Sequence, residues 1–566
     1  MLKFAEVTNN SLHMRNTLLI SIAALAATSM MALSCGGNSS KAPAMQSREL
    51  ITATSASTVS IAQGQICGYI DGGIYIYKGI PYAKASRFME PVSPDSWEGI
   101  RSCRHYGAVS PHPERTGWAN DVSAFTMDWD DGFASEDCQN LNVWTPSISD
   151  GKKRPVMVWL HGGGFNDGSS HEQLAYDGRN LAESGDVVVV SVNHRLNVLG
   201  FLDLSSFGGN YAKSSNLGMK DIVKALEWVK TNISVFGGDP SNVTIFGQSG
   251  GGGKVSTLLA TPSAHGLFHK AIVHSGSQAR VMEQKYSRMI GEETLRVLGI
   301  KPKDIDKILE VPYEELLAAG VKATSNMNPI AQAEGFKTFL FGWAPTVDGD
   351  FLPMHPFDQV APEISKDIPM MIGSTKTEFM MSGFNPAMKN MDLDGIKNYY
   401  KSRFGDRVDE YVDLFMKTYP DANPVDLLDF DMIFRPMSLH QSTLKAAQNA
   451  PVYNFLFRWE SPVVDGALRS AHCMDLPFAF NNAELYRTET GGGPEAIELA
   501  RIMSTAWANF AHTGDPNPVK GMPKWEPYTA EGGATMVFDN TCELWHNRDK
   551  ELLDFDASFG GARTLH

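Results

Sequence analysis

From about residue 58 onward the chain alternates between short β-branched or aromatic runs and longer stretches whose apolar positions recur every three or four residues. The runs at 155–160, 187–192, 243–246, 270–273, 369–372, 453–457 and 535–538 read as strands. Strands of this kind separated by helical patterns are the signature of a mostly parallel sheet covered on both faces. Residues 216–236 lie between two of the strands, and there Leu217, Ile222, Leu226 and Val229 fall near helical spacing, so one face of that helix packs on the sheet. The predicted architecture is α/β, with one large central sheet. The charge-rich helical stretches at 283–323 and 392–448 read as excursions that form a cap. Residues 111–133 are long, polar and aromatic without a clear period, and are expected to rim a pocket. No composition break or internal repeat divides residues 58–566, which are therefore expected to form a single domain.

Composition narrows the possibilities. A chain of 566 residues that is 43% hydrophobic can bury a sizeable core. Its net charge of −15, with no basic run, argues against nucleic acid as a partner. Six thinly spread cysteines exclude a disulfide scaffold or a zinc ribbon. At the N-terminus Arg15 precedes an apolar run, 17–33, followed by Ser34-Cys35-Gly36-Gly37. Basic, apolar and small residues in that order form a secretory signal rather than a fold element. The Cys at its end resembles a bacterial lipoprotein box, although Ala32 stands where Leu is usual. Residues 1–35 are thus expected to be a signal with lipidation at Cys35, and residues 36–57 a flexible tether. The expected destination is the periplasm or a membrane-anchored position on the cell envelope. Nothing in the chain indicates its oligomeric state.

The chemistry concentrates at Gly247-Gln248-Ser249-Gly250-Gly251, which directly follows the run 243–246 and precedes a helical pattern. A strand, a sharp turn and a helix with Ser at the apex is a nucleophile elbow, in which side chains two positions either side of the Ser would collide. The N–H of the next residue, Gly250, then faces the developing oxyanion from a helix N-terminus. The same segment superficially resembles a phosphate-binding loop, because Lys254 follows four glycines. That loop needs Gly where Gln248 stands and Ser or Thr where Val255 stands, so both ends fail. Upstream, the strand at 155–160 runs into His161-Gly162-Gly163-Gly164, whose backbone N–H groups can supply further oxyanion donors.

Such enzymes place the base and acid in the order Ser, Asp or Glu, His. Five histidines follow residue 378: His440, His472, His512, His546 and His566. His472 lies in a polar stretch beyond a strand, where a general base can reach across the sheet edge. Glu378 lies in the loop after the strand at 369–372, and spacing alone leaves Asp348, Asp350 and Asp475 as alternatives. His265 and His269 are spaced i, i+4 but lack a third ligand nearby, so they read as surface residues. No metal or cofactor is required.

These segments together resemble the type B carboxylesterase and cholinesterase-like family. Besides the elbow, the similar blocks are Lys78-Gly79-Ile80-Pro81-Tyr82-Ala83, Glu136-Asp137-Cys138 with Leu141-Asn142-Val143-Trp144, and Ser191-Val192-Asn193-His194-Arg195-Leu196. Phe236-Gly237-Gly238-Asp239-Pro240 and Thr513-Gly514-Asp515-Pro516 complete the set. The resemblance covers nearly all of the chain after residue 58. It implies an α/β-hydrolase fold with helical cap insertions and a serine carboxylesterase working through Ser249, Glu378 and His472. Gly163, Gly164 and Gly250 are implied as oxyanion donors. The chain departs from the family at Gln248 (usually Glu), Gly250 (usually Ala) and Cys473 (usually Gly). The family's first disulfide would use Cys138, but Ser110 occupies the usual partner position, leaving Cys103 and Cys67 as substitutes and the pairing open, as for Cys473 and Cys542. Two other outcomes stand beside ester hydrolysis: a binding protein that has lost the nucleophile, as some relatives have, or the same triad acting on an amide or thioester.

Overall fold

A computed structural model describes residues 48–113, 121–335, 342–379, 382–383 and 385–560. Cys35 and the expected signal lie outside them, as does His566. Twelve strands form the main sheet. In chain order they are β1 (Leu50–Ile51), β2 (Tyr69–Asp71), β3 (Ile74–Pro81), β4 (Asn140–Thr145), β5 (Arg154–Leu160) and β6 (Val188–Val192). They continue as β7 (Gly238–Gln248), β8 (Lys270–His274), β9 (Met370–Thr375), β10 (Val452–Phe457), β11 (Ala534–Phe538) and β12 (Glu543–His546). Across the sheet the order is β1-β2-β3-β4-β6-β5-β7-β8-β9-β10-β11-β12. The stretch from β6 to β11 is parallel throughout, while β1 to β4 and β12 pair antiparallel. This is the α/β-hydrolase arrangement.

The parallel strands are buried along their whole length because each feeds two cores. Val156, Val158, Val243, Ile245 and Val273 pack on one face beneath α1 (Leu217–Asn232) and α2 (Gly250–Leu258). Met157, Trp159, Phe246, Ile272 and Phe455 pack on the other, against Leu499, Met503 and Trp507 of the helix Pro494–Thr513. Strands covered on both sides need apolar residues at every position. The cap helices α3 (Gln284–Val297) and α4 (Tyr313–Ala333) share a third cluster that includes Ile290, Leu295, Ile308, Leu316 and Ala323.

Three expectations are corrected. The tether does not extend to residue 57, because β1 pairs with β2 and Tyr77 donates to the Ser57 carbonyl at 2.8 Å. Composition cannot register a two-residue strand. Part of the 111–133 stretch is helical, at Asp121–Met127, while 114–120 lie outside the described residues. The five described cysteines are free thiols, so neither Cys103 nor Cys67 is bridged to Cys138. Cys138 instead meets the Ser110 side chain, and burial pushes its thiol well above the ordinary range.

Candidate active site

Parallel strands deliver their C-terminal ends to one edge of the sheet, and the segments just beyond those ends hold Gly163, Gly164, Ser249, Glu378 and His472. After β7 ends at Gln248, Ser249 adopts φ 56° and ψ −125° before α2 begins. A non-glycine residue held there costs about 1–3 kcal/mol. Two backbone bonds keep it in place: Ser249 N–H donates to the His274 carbonyl at 2.9 Å, and its own carbonyl accepts from Gly253 N–H at 3.0 Å. The turn is tight enough that a Cβ on Gly251 would stand 1.9 Å from the Leu160 carbonyl oxygen. Ser249 itself remains partly exposed.

Beyond β5, Gly163 and Gly164 take φ values of 78° and 63°. The Gly163 carbonyl accepts from Asn166 and Asp167 N–H at 3.2 and 3.1 Å, closing the loop into a turn. Gly250 lies directly against this loop. A Cβ there would stand 2.0 Å from the Gly164 carbonyl oxygen and 2.4 Å from its Cα. At this spacing the family's Ala could not be accommodated at 250 without a shift of the Gly164 backbone.

Glu378 follows β9, and His472 lies in the loop between β10 and the short helix Leu476–Ala479. The Thr375 N–H donates to Glu378 Oε1 at 2.9 Å, and His472 Nδ1 meets Oε2 at 2.5 Å. His472 N–H also donates to the Glu378 carbonyl at 2.9 Å. Burial alone would lower the imidazole's pKa, but the Glu378 carboxylate, with Asp475 and Asp431 farther off, outweighs it and raises the ring above 6.5. With the proton held at Nδ1, Nε2 is left as the acceptor. It receives an N–H from the Gln248 amide at 3.1 Å, and the Cys473 thiol donates to the other end of that amide at 3.3 Å. Phe379 and Phe434 flank the imidazole, each with its centroid 5.2 Å away, and Phe379 is 56% exposed.

The other candidate residues are engaged elsewhere. Asp348 accepts from Ser215 and Asn216, Asp350 is exposed, and Asp475 meets His274 Nδ1 at 2.6 Å. His274 Nε2 accepts from Trp507 at 2.9 Å. His440 bonds the Phe357 and Asp358 carbonyls, His512 the Gly185 carbonyl, and His546 the Glu526 carboxylate. His269 accepts from Val243 N–H, and among the described residues no cluster of three His, Cys, Asp or Glu could hold a metal ion.

Several residues at the site were not anticipated. Asp431 accepts the N–H groups of Ile433, Phe434 and Arg435 at 2.9, 3.0 and 2.6 Å, yet burial and then the Glu378 carboxylate push it upward. An Asp just before a helical run is a capping signal. No sequence signal marks its nearness to Glu378, nor that of Phe434 to His472.

The family model described as the carboxylesterase family matches residues 55–555. The chain is 34% identical to para-nitrobenzyl esterase of Bacillus subtilis over 502 residues, covering 87% of this chain and 97% of that protein. It is 30% identical to phenmedipham hydrolase of Pseudarthrobacter oxydans over 489 residues, 84% and 93% of the two chains. Among solved structures it resembles an esterase from the anaerobe Clostridium hathewayi that can hydrolyse aliphatic aromatic polyesters, with a TM-score of 0.80 and 37% identity over 90% of this chain and 99% of that one.

Proposed function

The chain belongs to the carboxylesterase family and is a carboxylic ester hydrolase, and on that premise we propose that Ser249, His472 and Glu378 form its catalytic triad. The observation that carries the assignment is the His472–Glu378 bond at 2.5 Å, formed beside the strained Ser249. Ser249 Oγ attacks the ester carbonyl while His472 Nε2, exchanging the Gln248 amide for the serine hydroxyl, takes its proton, and the imidazolium then protonates the leaving alcohol. Water repeats the cycle on the acyl-enzyme, with His472 again the base. Glu378 keeps the proton on Nδ1 in the resting state and stabilises the ring when it is positive. The N–H groups of Gly163, Gly164 and Gly250 hold the tetrahedral oxyanion.

Aryl-bearing esters suit the wall that Phe379 and Phe434 form beside the base, since exposed aromatic faces favour aromatic partners. The relatives named for a para-nitrobenzyl group and for aromatic polyesters agree with that choice. The test is hydrolysis of p-nitrophenyl butyrate and p-nitrobenzyl acetate by a chain starting at residue 36, beside its Ser249→Ala variant. Activity lost by a factor of about 10⁶ in a folded variant is expected for the nucleophile. Equal activity in both would reject Ser249.

Export and acylation at Cys35 complete the proposal, supported by Arg15, the apolar run and the Cys that ends it. Incorporation of labelled fatty acid into the full chain, abolished in Cys35→Ser, is the expected result. Absence of label in the unaltered chain would leave plain signal cleavage.

A further inference from the structure

Lys254 remained without a role once the phosphate-loop pattern failed. Its side chain leaves α2 five residues after Ser249 and is wholly buried. Its amine donates to the His161 carbonyl at 2.8 Å and more weakly to the Gly162 carbonyl at 3.5 Å. The Phe165 ring lies 5.8 Å away. The ionisable groups that face the amine are Glu172, which favours its charge, and the imidazoles of His161 and His194, whose protonation it opposes. Burial draws the amine's pKa down to about 7. Enclosing an amine in this way is costly, and an apolar side chain of the same length would fill the space without that cost.

The carbonyls it holds explain its place. In a trans peptide the C=O and the following N–H point in opposite directions. The carbonyls of His161, Gly162 and Gly163 therefore aim the N–H groups of Gly162, Gly163 and Gly164. Asn166 and Asp167 fix the Gly163 carbonyl, and the His161 ring, through Nδ1, approaches the Gly162 carbonyl at 3.0 Å. The amine of Lys254 reaches the His161 carbonyl and also touches that of Gly162.

We propose that Lys254 is a positioning residue that ties the oxyanion loop to the nucleophile helix, so that the N–H groups of Gly163 and Gly164 keep a fixed distance from that of Gly250. The proposal rests on the reading of those glycines as the oxyanion hole. Through its contact with the Gly162 carbonyl the amine also polarises the peptide that carries the Gly163 N–H.

The test compares the unaltered enzyme with Lys254→Met and Lys254→Gln. The measurements are kcat and KM for p-nitrophenyl butyrate, thermal midpoint, and inhibition by an aryl trifluoromethyl ketone and its methyl ketone counterpart. The trifluoromethyl ketone adds Ser249 to form a tetrahedral oxyanion, whereas the methyl ketone binds largely as the intact carbonyl. Lys254→Met is expected to lower kcat on the order of 10²-fold with KM within about threefold, because the loss falls on the transition state. Trifluoromethyl ketone affinity should fall by the same factor while methyl ketone affinity holds. Lys254→Gln, which retains a donor, should recover part of both. Unchanged kcat and trifluoromethyl ketone affinity in folded variants would overturn the proposal, as would a parallel weakening of both ketones that tracks the thermal midpoint. If the unaltered enzyme does not prefer the trifluoromethyl ketone, the oxyanion-hole reading falls first and the proposal with it.

Discussion

Around Ser249 the shape of the site is set by backbone against backbone, whereas around His472 it is set by side chains drawn from three separate stretches. On the nucleophile side there is no room for a Cβ: one on Gly251 would stand 1.9 Å from the Leu160 oxygen and one on Gly250 2.0 Å from that of Gly164. On the base side, residue 472 is held by Glu378, Gln248, Phe379 and Phe434, each contact a hydrogen bond or ring packing. The first arrangement tolerates almost no added atom. The second tolerates exchange, provided the imidazole stays oriented.

Removing the orienting carboxylate tests the base side most severely. Glu378→Gln is expected to lower kcat by about 10⁴, since the wrong tautomer then predominates. As the proposed base His472 must be neutral, and the carboxylate raises that group, so the acid limb of the unaltered enzyme's pH–kcat/KM profile should lie above 6.5. Without the carboxylate, burial prevails and the limb should move to lower pH. A limb that does not move would show that another group sets it.

Gly250→Ala sharpens the contrast on the nucleophile side, although it restores the residue usual in the family. The added methyl must displace the Gly164 backbone, so kcat should fall on the order of 10²-fold with little change in KM, as for a lost oxyanion donor. Full activity would mean that the loop yields freely and that the close approach is incidental. The smallest effect is expected from Cys473→Gly. Cys473 has φ 76°, so glycine relieves about 1 kcal/mol of strain while releasing one end of the Gln248 amide. The thermal midpoint should hold or rise, and kcat/KM should change by less than about tenfold, the scale of one neutral hydrogen bond. A loss beyond 100-fold would place the thiol within the machinery itself.

The same contrast governs what could be read from the sequence. The parallel strands were legible because burial on two faces demands uninterrupted apolar runs, as at 155–160 and 187–192. The antiparallel flank was not: Leu50–Ile51 and Tyr69–Asp71 are too short to carry a period, and Ile74–Pro81 and Asn140–Thr145, though long enough, went unread. The elbow announces itself because its geometry forces glycine at fixed offsets from a serine. A hydrogen bond between residues 378 and 472 leaves no local mark, and spacing alone left four carboxylates in play. Only the resemblance singled out Glu378. Gln248 and Cys473 were visible as departures from the family, but their contact joins positions 225 residues apart and emerges only in three dimensions.

The third apolar cluster gives the molecule a division of inheritance. Much of the packing of α3 and α4 is between themselves and the nearby turns rather than on the faces of the sheet. Leu295 and Ala323 lie in that cluster and not among the side chains packed on the two faces of the sheet, so their exchange for other apolar residues falls first on the cap. Revising the cap in this way leaves the two cores that carry the turn at Ser249 with packing of their own.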